Sequence, residues 1–169
     1  FSLKDWGADK WATDPHKRAI GGVPPKNNGD FAWVQHMIAS MTPETGRVGV
    51  VMPHGVLFRG AAEGAIRKYL IESDLLETVI GLAPNLFYGT TIPASLLIFR
   101  ATKDIKRSNH VLFIDSSQRF VKGKAQNFLS DADVDDIYAT YKSIGEKSLA
   151  GISARMVSHD EIAGNNWDL

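Results

Sequence analysis

The stretch from Leu82 to Phe99 constrains this chain more than any other. Two apolar runs enclose a loop that carries adjacent aromatic rings between two prolines. Val79-Ile80-Gly81-Leu82 and Ser95 to Phe99 have the near-continuous apolar character of strands covered on both faces of a sheet. Between them, Phe87 and Tyr88 stand within a connection bounded by Pro84 and Pro93. Rings exposed on a connection cost hydrophobic free energy, so they either pack back onto their own sheet or meet a ligand. The residues alone leave both readings open.

The pattern on either side is that of an α/β domain. Residues 1–29 show no sustained periodicity and are rich in Gly, Pro and Asn; Trp6 and Trp11 favour a loop laid over a site rather than a free end. Asp30 is a suitable N-cap, and Phe31, Val34, Ile38 and Met41 follow helical spacing up to Thr42-Pro43. Val48 to Met52 reads as a strand stopped by Pro53, and His54 to Gly60 as the loop at its carboxyl end. A helix is expected over 61–72, with Ala62, Ala65, Ile66, Tyr69 and Leu70 inward and Glu63 and Arg67 paired on its wet side. The strand from Leu76 to Leu82 completes a βαβ unit, which predicts a parallel pair. Strands at 95–100 and 111–114 extend the sheet. Ser130 and Asp133 mark the start of a helix through about Lys142, with Val134, Ile137, Tyr138 and Tyr141 as its inner face. Residues 145–169 read as an irregular tail leading out of the domain, with one short helix after Ser158.

Several chemistries have no support. The chain has no cysteine, which excludes disulfides and thiolate metal sites. Its five histidines, at 16, 36, 54, 110 and 159, lack paired ligand spacing, so no metal site is expected. The acidic run from Asp131 to Asp136 fails as a calcium loop, because its sixth position is Asp136 and its twelfth is Lys142. No phosphate-cradling Gly-x-x-x-x-Gly-Lys loop, dinucleotide Gly-x-Gly-x-x-Gly or Gly-x-Ser-x-Gly elbow occurs. Lys plus Arg equals Asp plus Glu at 19 each, so no global basic field marks the chain as a dedicated nucleic-acid binder. The local clusters Lys103, Lys106, Arg107 and Arg119, Lys122, Lys124 read as solvated loop surface, or as phosphate contacts if they flank a DNA groove. No apolar run reaches the ~18 residues of a bilayer span and no basic-then-apolar leader is present, so a cytoplasmic location and no membrane contact are the expectation. His54 is different. It follows a strand at the carboxyl end, where open α/β sheets hold ligands, and is a candidate for the rim of a site, the more frequent alternative being a neutral histidine packed on a turn.

The order of these pieces resembles the methyltransferase (modification) subunit of type I restriction-modification enzymes, amino-group DNA adenine methylases. The residues that carry the resemblance are Phe1-Ser2 with Trp6 and Trp11, Gly29 to Met37, Gly46 to Arg59, Ile66 to Glu72, the loop of Phe87, and Val111 to Ser117. In that family the catalytic loop reads Asn-Pro-Pro-Phe or Asn-Pro-Pro-Tyr, and Phe1-Ser2 matches its end. The asparagine, the prolines and the glycine-rich S-adenosyl-L-methionine loop are not in this sequence. The resemblance therefore implies the second half of a Rossmann-like methyltransferase fold, a mostly parallel sheet flanked by helices with its final strands antiparallel. Residues 1–29 would be the loop after the catalytic motif and 30–144 the partial domain.

By the same resemblance Phe1 and Phe87 would stack on an adenine flipped out of double-stranded DNA, with Tyr88 as a pocket neighbour and His54 at the rim. No catalytic set would be complete in this chain, and cofactor binding would need the parent protein. The partners implied are DNA and the specificity and restriction subunits. Strand 48–52 would have lost a parallel neighbour, leaving an open edge. A catalytically silent α/β interaction domain and an RNA or protein methylase fragment are the rival readings.

Overall fold

A computed structural model describes residues 3–145 and 149–169. One five-stranded sheet organises them, built from β1 (Arg47–Pro53), β2 (Leu76–Gly81), β3 (Ala94–Arg100), β4 (His110–Asp115) and β5 (Ser153–Ser158). Across the sheet the order is β1-β3-β2-β4-β5. The helices are α1 (Ala8–Trp11), α2 (Asp30–Ala39), α3 (Ala61–Glu72), α4 (Asp131–Lys142) and α5 (His159–Gly164). Among the described residues no helix is long and apolar enough to cross a membrane.

The α/β class is as the sequence predicts, but the pairing differs from a simple βαβ ladder. β1, β2 and β4 run in one direction, yet β3 lies antiparallel between β1 and β2. Among the described residues only β2 and β4 form a parallel ladder. The expected neighbours β1 and β2 are thus parallel without touching, because β3 is the apolar run that can satisfy both at once. Ser95 to Phe99 alternates between the two faces of the sheet, with Leu97 and Phe99 on one and Leu96 and Ile98 on the other. β1 pairs with β3 alone among the described residues and forms an edge of the sheet.

The two faces are covered unequally. Phe31, Val34 and Ile38 of α2, Ile66, Leu70 and Ile71 of α3, and Ile162 of α5 pack with Val79, Leu97, Phe99 and Val111 in one core. On the other face Ile137 of α4 packs with Ile80, Leu112, Ile114 and Ile152. Val134 and Tyr138, expected inward, are 50% and 58% exposed and border an open apolar groove of about 310 Å³ against the sheet. Thr140 takes the buried position instead. The cap at the start of α4 forms as expected: Ser130 Oγ accepts from the Asp133 amide, and Asp133 accepts from the Ser130 amide.

Three other expectations are corrected by long-range pairing. Residues 149–169 do not leave the domain, since β5 adds antiparallel to β4 and Trp167 and Leu169 pack on the first core. Ser153-Ala154-Arg155-Met156 alternates weakly, and an edge strand with one wet face needs no stronger pattern. Glu63 and Arg67 are both buried and do not pair with each other. Glu63 and Asp30 together clamp Arg59, while Arg67 donates to the Val56, Arg59 and Trp167 carbonyls and pairs with Asp168. Finally, Lys103 and Arg107 are not loop surface. Lys103 Nζ reaches Asp74 at 2.6 Å and the His110 carbonyl at 2.7 Å, and Arg107 lies against Glu77 at 3.4 Å and over the Tyr141 ring.

The lead-in folds back on α2. Trp6 Nε1 donates to the Pro25 carbonyl, its ring meets Trp11 edge-on at 5.4 Å, and it lies so close over Gly29 that a Cβ there would fall 2.9 Å from Trp6 Cγ. Gln35 fixes the Gly21-Gly22 segment through two side-chain bonds.

Candidate functional site

The parallel strands deliver their carboxyl ends to one rim of the sheet. There β1 runs into the short turn His54–Leu57, β2 into the loop of Phe87, and β4 into Ser116-Ser117. Ligands of open α/β sheets sit outside such ends. The loop from Leu82 to Pro93 is a small hairpin of its own. Leu82 N donates to the Ala94 carbonyl, Asn85 N donates to Thr91, and Phe87 bridges Thr90. Tyr88-Gly89 closes the tip. Gly89 takes φ +77°, a sign that type II turns ask of glycine.

A second loop braces this hairpin. Asn127 donates from its amide to the Asn85 carbonyl at 2.8 Å and from its side chain to Pro84 at 2.9 Å, and Gln126 reaches the Leu86 carbonyl. Sequence reading missed this support. Its signal was two carboxamides in a turn-rich stretch, which local pattern alone does not assign to a partner about 40 residues away.

The aromatics do not tuck back. Phe87 is 38% exposed and Tyr88 is 92% exposed. With Asn85, Thr90, Ile92 and Gln126 they line a hollow of about 620 Å³. Phe1 lies outside the described residues, so the pairing of the two phenyl rings does too. His54 borders a different cavity, of about 420 Å³, at the root of the same loop, together with Pro84, Pro93, Ser95, Phe113 and Asp115. The buried His54 Nε2 and Ser95 Oγ have no hydrogen-bond partner. Leaving a buried polar atom unsatisfied costs about 1–3 kcal/mol. The structure therefore brings Phe87 and Tyr88 together and sets His54 on the far side of the loop's base.

S-adenosyl-L-methionine finds no glycine-rich strand-to-helix turn among the described residues. β1 leads into His54-Gly55-Val56-Leu57, and the start of α3 is occupied by Arg59, clamped between Asp30 and Glu63. The carboxyl rim of this chain offers apolar and aromatic surface with a few hydrogen-bonding groups and the Asp115 carboxylate.

Comparison with known proteins agrees with this layout. A family profile described as N-6 DNA Methylase matches residues 1–169. The type I restriction enzyme MjaVII methylase subunit of Methanocaldococcus jannaschii is 34% identical over 178 residues, covering 100% of this chain and 30% of that protein. The HindI methylase subunit of Haemophilus influenzae is 33% identical, with 100% and 38% covered. A solved type I restriction-modification methyltransferase subunit from Streptococcus thermophilus superimposes with a TM-score of 0.88 at 38% identity, over 100% of this chain and 34% of that one. The chain thus spans about a third of the length of these relatives. It belongs to the N-6 DNA methylase family.

Proposed function

We propose that this chain carries the target-base side of an adenine-N6 DNA methyltransferase, within the modification subunit of a type I restriction-modification system. The observation that supports it most is Phe87, held out at the carboxyl rim by a braced hairpin instead of folding onto the sheet. An adenine amino group inside a duplex is out of reach, so the base must leave the stack at a cost of a few kcal/mol. A ring face already fixed in the open offsets part of that cost, about 1–3 kcal/mol per stacked base. Bracing by Gln126 and Asn127 keeps the face in place before the base arrives, which spares the ordering cost at binding. Tyr88 and Ile92 flank it, and Phe1 supplies a second ring by family resemblance.

S-adenosyl-L-methionine, bound elsewhere in the longer protein, supplies the methyl group that the amino nitrogen takes. The residues here hold and orient the base, and this chain alone is inactive and does not bind the methyl donor appreciably. The partners are double-stranded DNA and the specificity and restriction subunits of the complex, and the location is cytoplasmic. Isothermal titration of the 169-residue chain with S-adenosyl-L-methionine checks the division of labour. No heat of binding is expected, and a low-micromolar affinity would overturn it. In the longer subunit assembled with its partners, Tyr88→Ala should lower methylation less than Phe87→Ala. The reverse order would place the base on the other ring.

A further inference from the structure

A basic pocket of about 180 Å³ lies at the amino end of the parallel strands, away from the Phe87 loop. Arg47 opens β1 there, Arg100 closes β3, Arg107 precedes β4 and Lys142 ends α4. β1 has seven residues, so at about 3.3 Å each the pocket stands about 20 Å from the carboxyl rim. Register sets Arg47 directly opposite Arg100, a like-charge pair that destabilises a ladder unless something neutralises it. Of that pair only Arg100 finds a carboxylate among the described residues: Glu77, at 3.4 Å, which it shares with Arg107. Arg100 uses one guanidinium nitrogen for that contact, and its side chain stays 26% exposed at the pocket. Arg47 and Lys142 are exposed and have no hydrogen-bond or ion-pair partner among the described residues.

The charges set the valence of what fits. Four cations, Arg47, Arg100, Arg107 and Lys142, meet two carboxylates, Glu77 and Asp104, which leaves two positive charges unmatched. A carboxylate or a phosphodiester balances one of them. A phosphate monoester, with a charge near −2 above its second pKa of about 6, balances both. Guanidinium forks also match phosphate oxygens in geometry. Arg107 is buried, and its two terminal nitrogens are engaged by Glu77, Thr78 and the Tyr141 carbonyl, so it contributes charge from the floor. Arg47, Arg100 and Lys142 have donors left to touch a ligand. Tyr138 and Tyr141 line both this pocket and the apolar groove of about 310 Å³ beside α4, so the two hollows meet at these rings. The rings lie 6.3 Å apart, and Leu96, Ile98 and Val134 continue the groove beyond them. Its side chains are apolar except for the two tyrosine hydroxyls, which suits an aryl or alkyl body better than a sugar. We propose that these hollows bind a small phosphate monoester, its phosphate among Arg47, Arg100 and Lys142 and its apolar body against Tyr138. The inference is independent of the base-holding reading, which concerns the other end of the sheet.

Isothermal titration of the chain at about pH 8, where the monoester is dianionic, tests it with four probes. These are phenyl phosphate, inorganic phosphate, methyl phenyl phosphate and a short thymine strand. Phenyl phosphate should bind most tightly. Methyl phenyl phosphate keeps the ring and loses one charge, inorganic phosphate keeps the charge and loses the ring, and each should bind about ten-fold more weakly. Arg47→Ala and Lys142→Ala, both at exposed positions, should each weaken phenyl phosphate by about ten-fold. Lys122→Ala and Lys124→Ala, in the other basic loop, should leave it unchanged. Tyr138→Ala should weaken phenyl phosphate and spare inorganic phosphate. No binding of phenyl phosphate, or an affinity unchanged in both Arg47→Ala and Lys142→Ala, overturns the site. Methyl phenyl phosphate or inorganic phosphate binding as tightly as phenyl phosphate overturns a monoester with an apolar body. Tighter binding of the thymine strand makes the pocket a nucleic-acid contact and overturns it as well.

Discussion

The two ends of the sheet are made differently. At the amino end of the parallel strands the half-buried Asp74 and the fully buried Glu77 are both claimed. Asp74 accepts from Lys103, the Ser108 hydroxyl and the Asn109 amide, and Glu77 takes Arg100, Arg107 and the Tyr141 hydroxyl. At the carboxyl end Phe87 and Tyr88 stand in the open. Both ends rest on the same apolar cores, so neither composition nor packing separates them. The difference is between groups that complete each other within the chain and groups that need something from outside it. The first kind contributes stability, and the second is where binding is to be sought.

The sharpest way to break this comparison is at Glu77. Glu77→Ala leaves Arg107 buried without its partner, and removing one member of a buried ion pair costs about 3–5 kcal/mol. Urea denaturation should show a loss of that size. A loss under 1 kcal/mol would mean that the amino end is not the clamp described. Phe87→Ala should behave in the opposite way, with a stability change within about 0.5 kcal/mol, the usual range for exposed positions. A large loss there would return the ring to a packing role.

The edge of the sheet gives a third test. β1 offers unpaired backbone groups along its outer side, so the isolated chain should self-associate as its concentration rises. Val51→Lys, on the thinly covered face of that strand, should raise the onset of association in light scattering while leaving the circular dichroism spectrum unchanged.

The smallest effect concerns pH. His159 lies 3.4 Å from Asp74, and burial, followed by the charge of Lys103, lowers its pKa below 6.5. In the window between that lowered value and 6.5 the unfolded chain binds the proton and the folded chain does not, so stability falls as pH drops through it. His159→Gln should flatten that part of the stability profile. A profile identical to that of the parent chain would show that the histidine does not sense the clamp.

How legible each end was follows from the same difference. The bounds of α3 and the Ser130–Asp133 cap were readable because helical period and capping are properties of neighbouring residues. The loop of Phe87 was readable because rings between prolines are conspicuous wherever they fold. The burial of Glu63, Arg67, Lys103 and Arg107 was not, because charge on a helix or loop looks solvated until its partner is known. Arg67 finds two of its partners 100 and 101 residues away. The insertion of β3 between β1 and β2 was hidden for a related reason: an apolar strand does not name its neighbours. β5 carried too little apolar alternation to distinguish it from a tail. At the site, Phe87, Tyr88 and His54 were visible, while Ser95 was read only as part of a strand. Its buried, unpartnered hydroxyl shows only in coordinates.

The claim at the centre is that Phe87 holds a base. Its most direct test is the DNA affinity of the longer subunit, assembled with its partners, for two duplexes that differ at the target position. One carries adenine there and the other an abasic site. Phe87→Ala should weaken binding to the adenine duplex by about ten-fold or more, the equivalent of one lost stacking contact, and leave the abasic duplex unaffected. Equal weakening on both duplexes, or none on either, would contradict it.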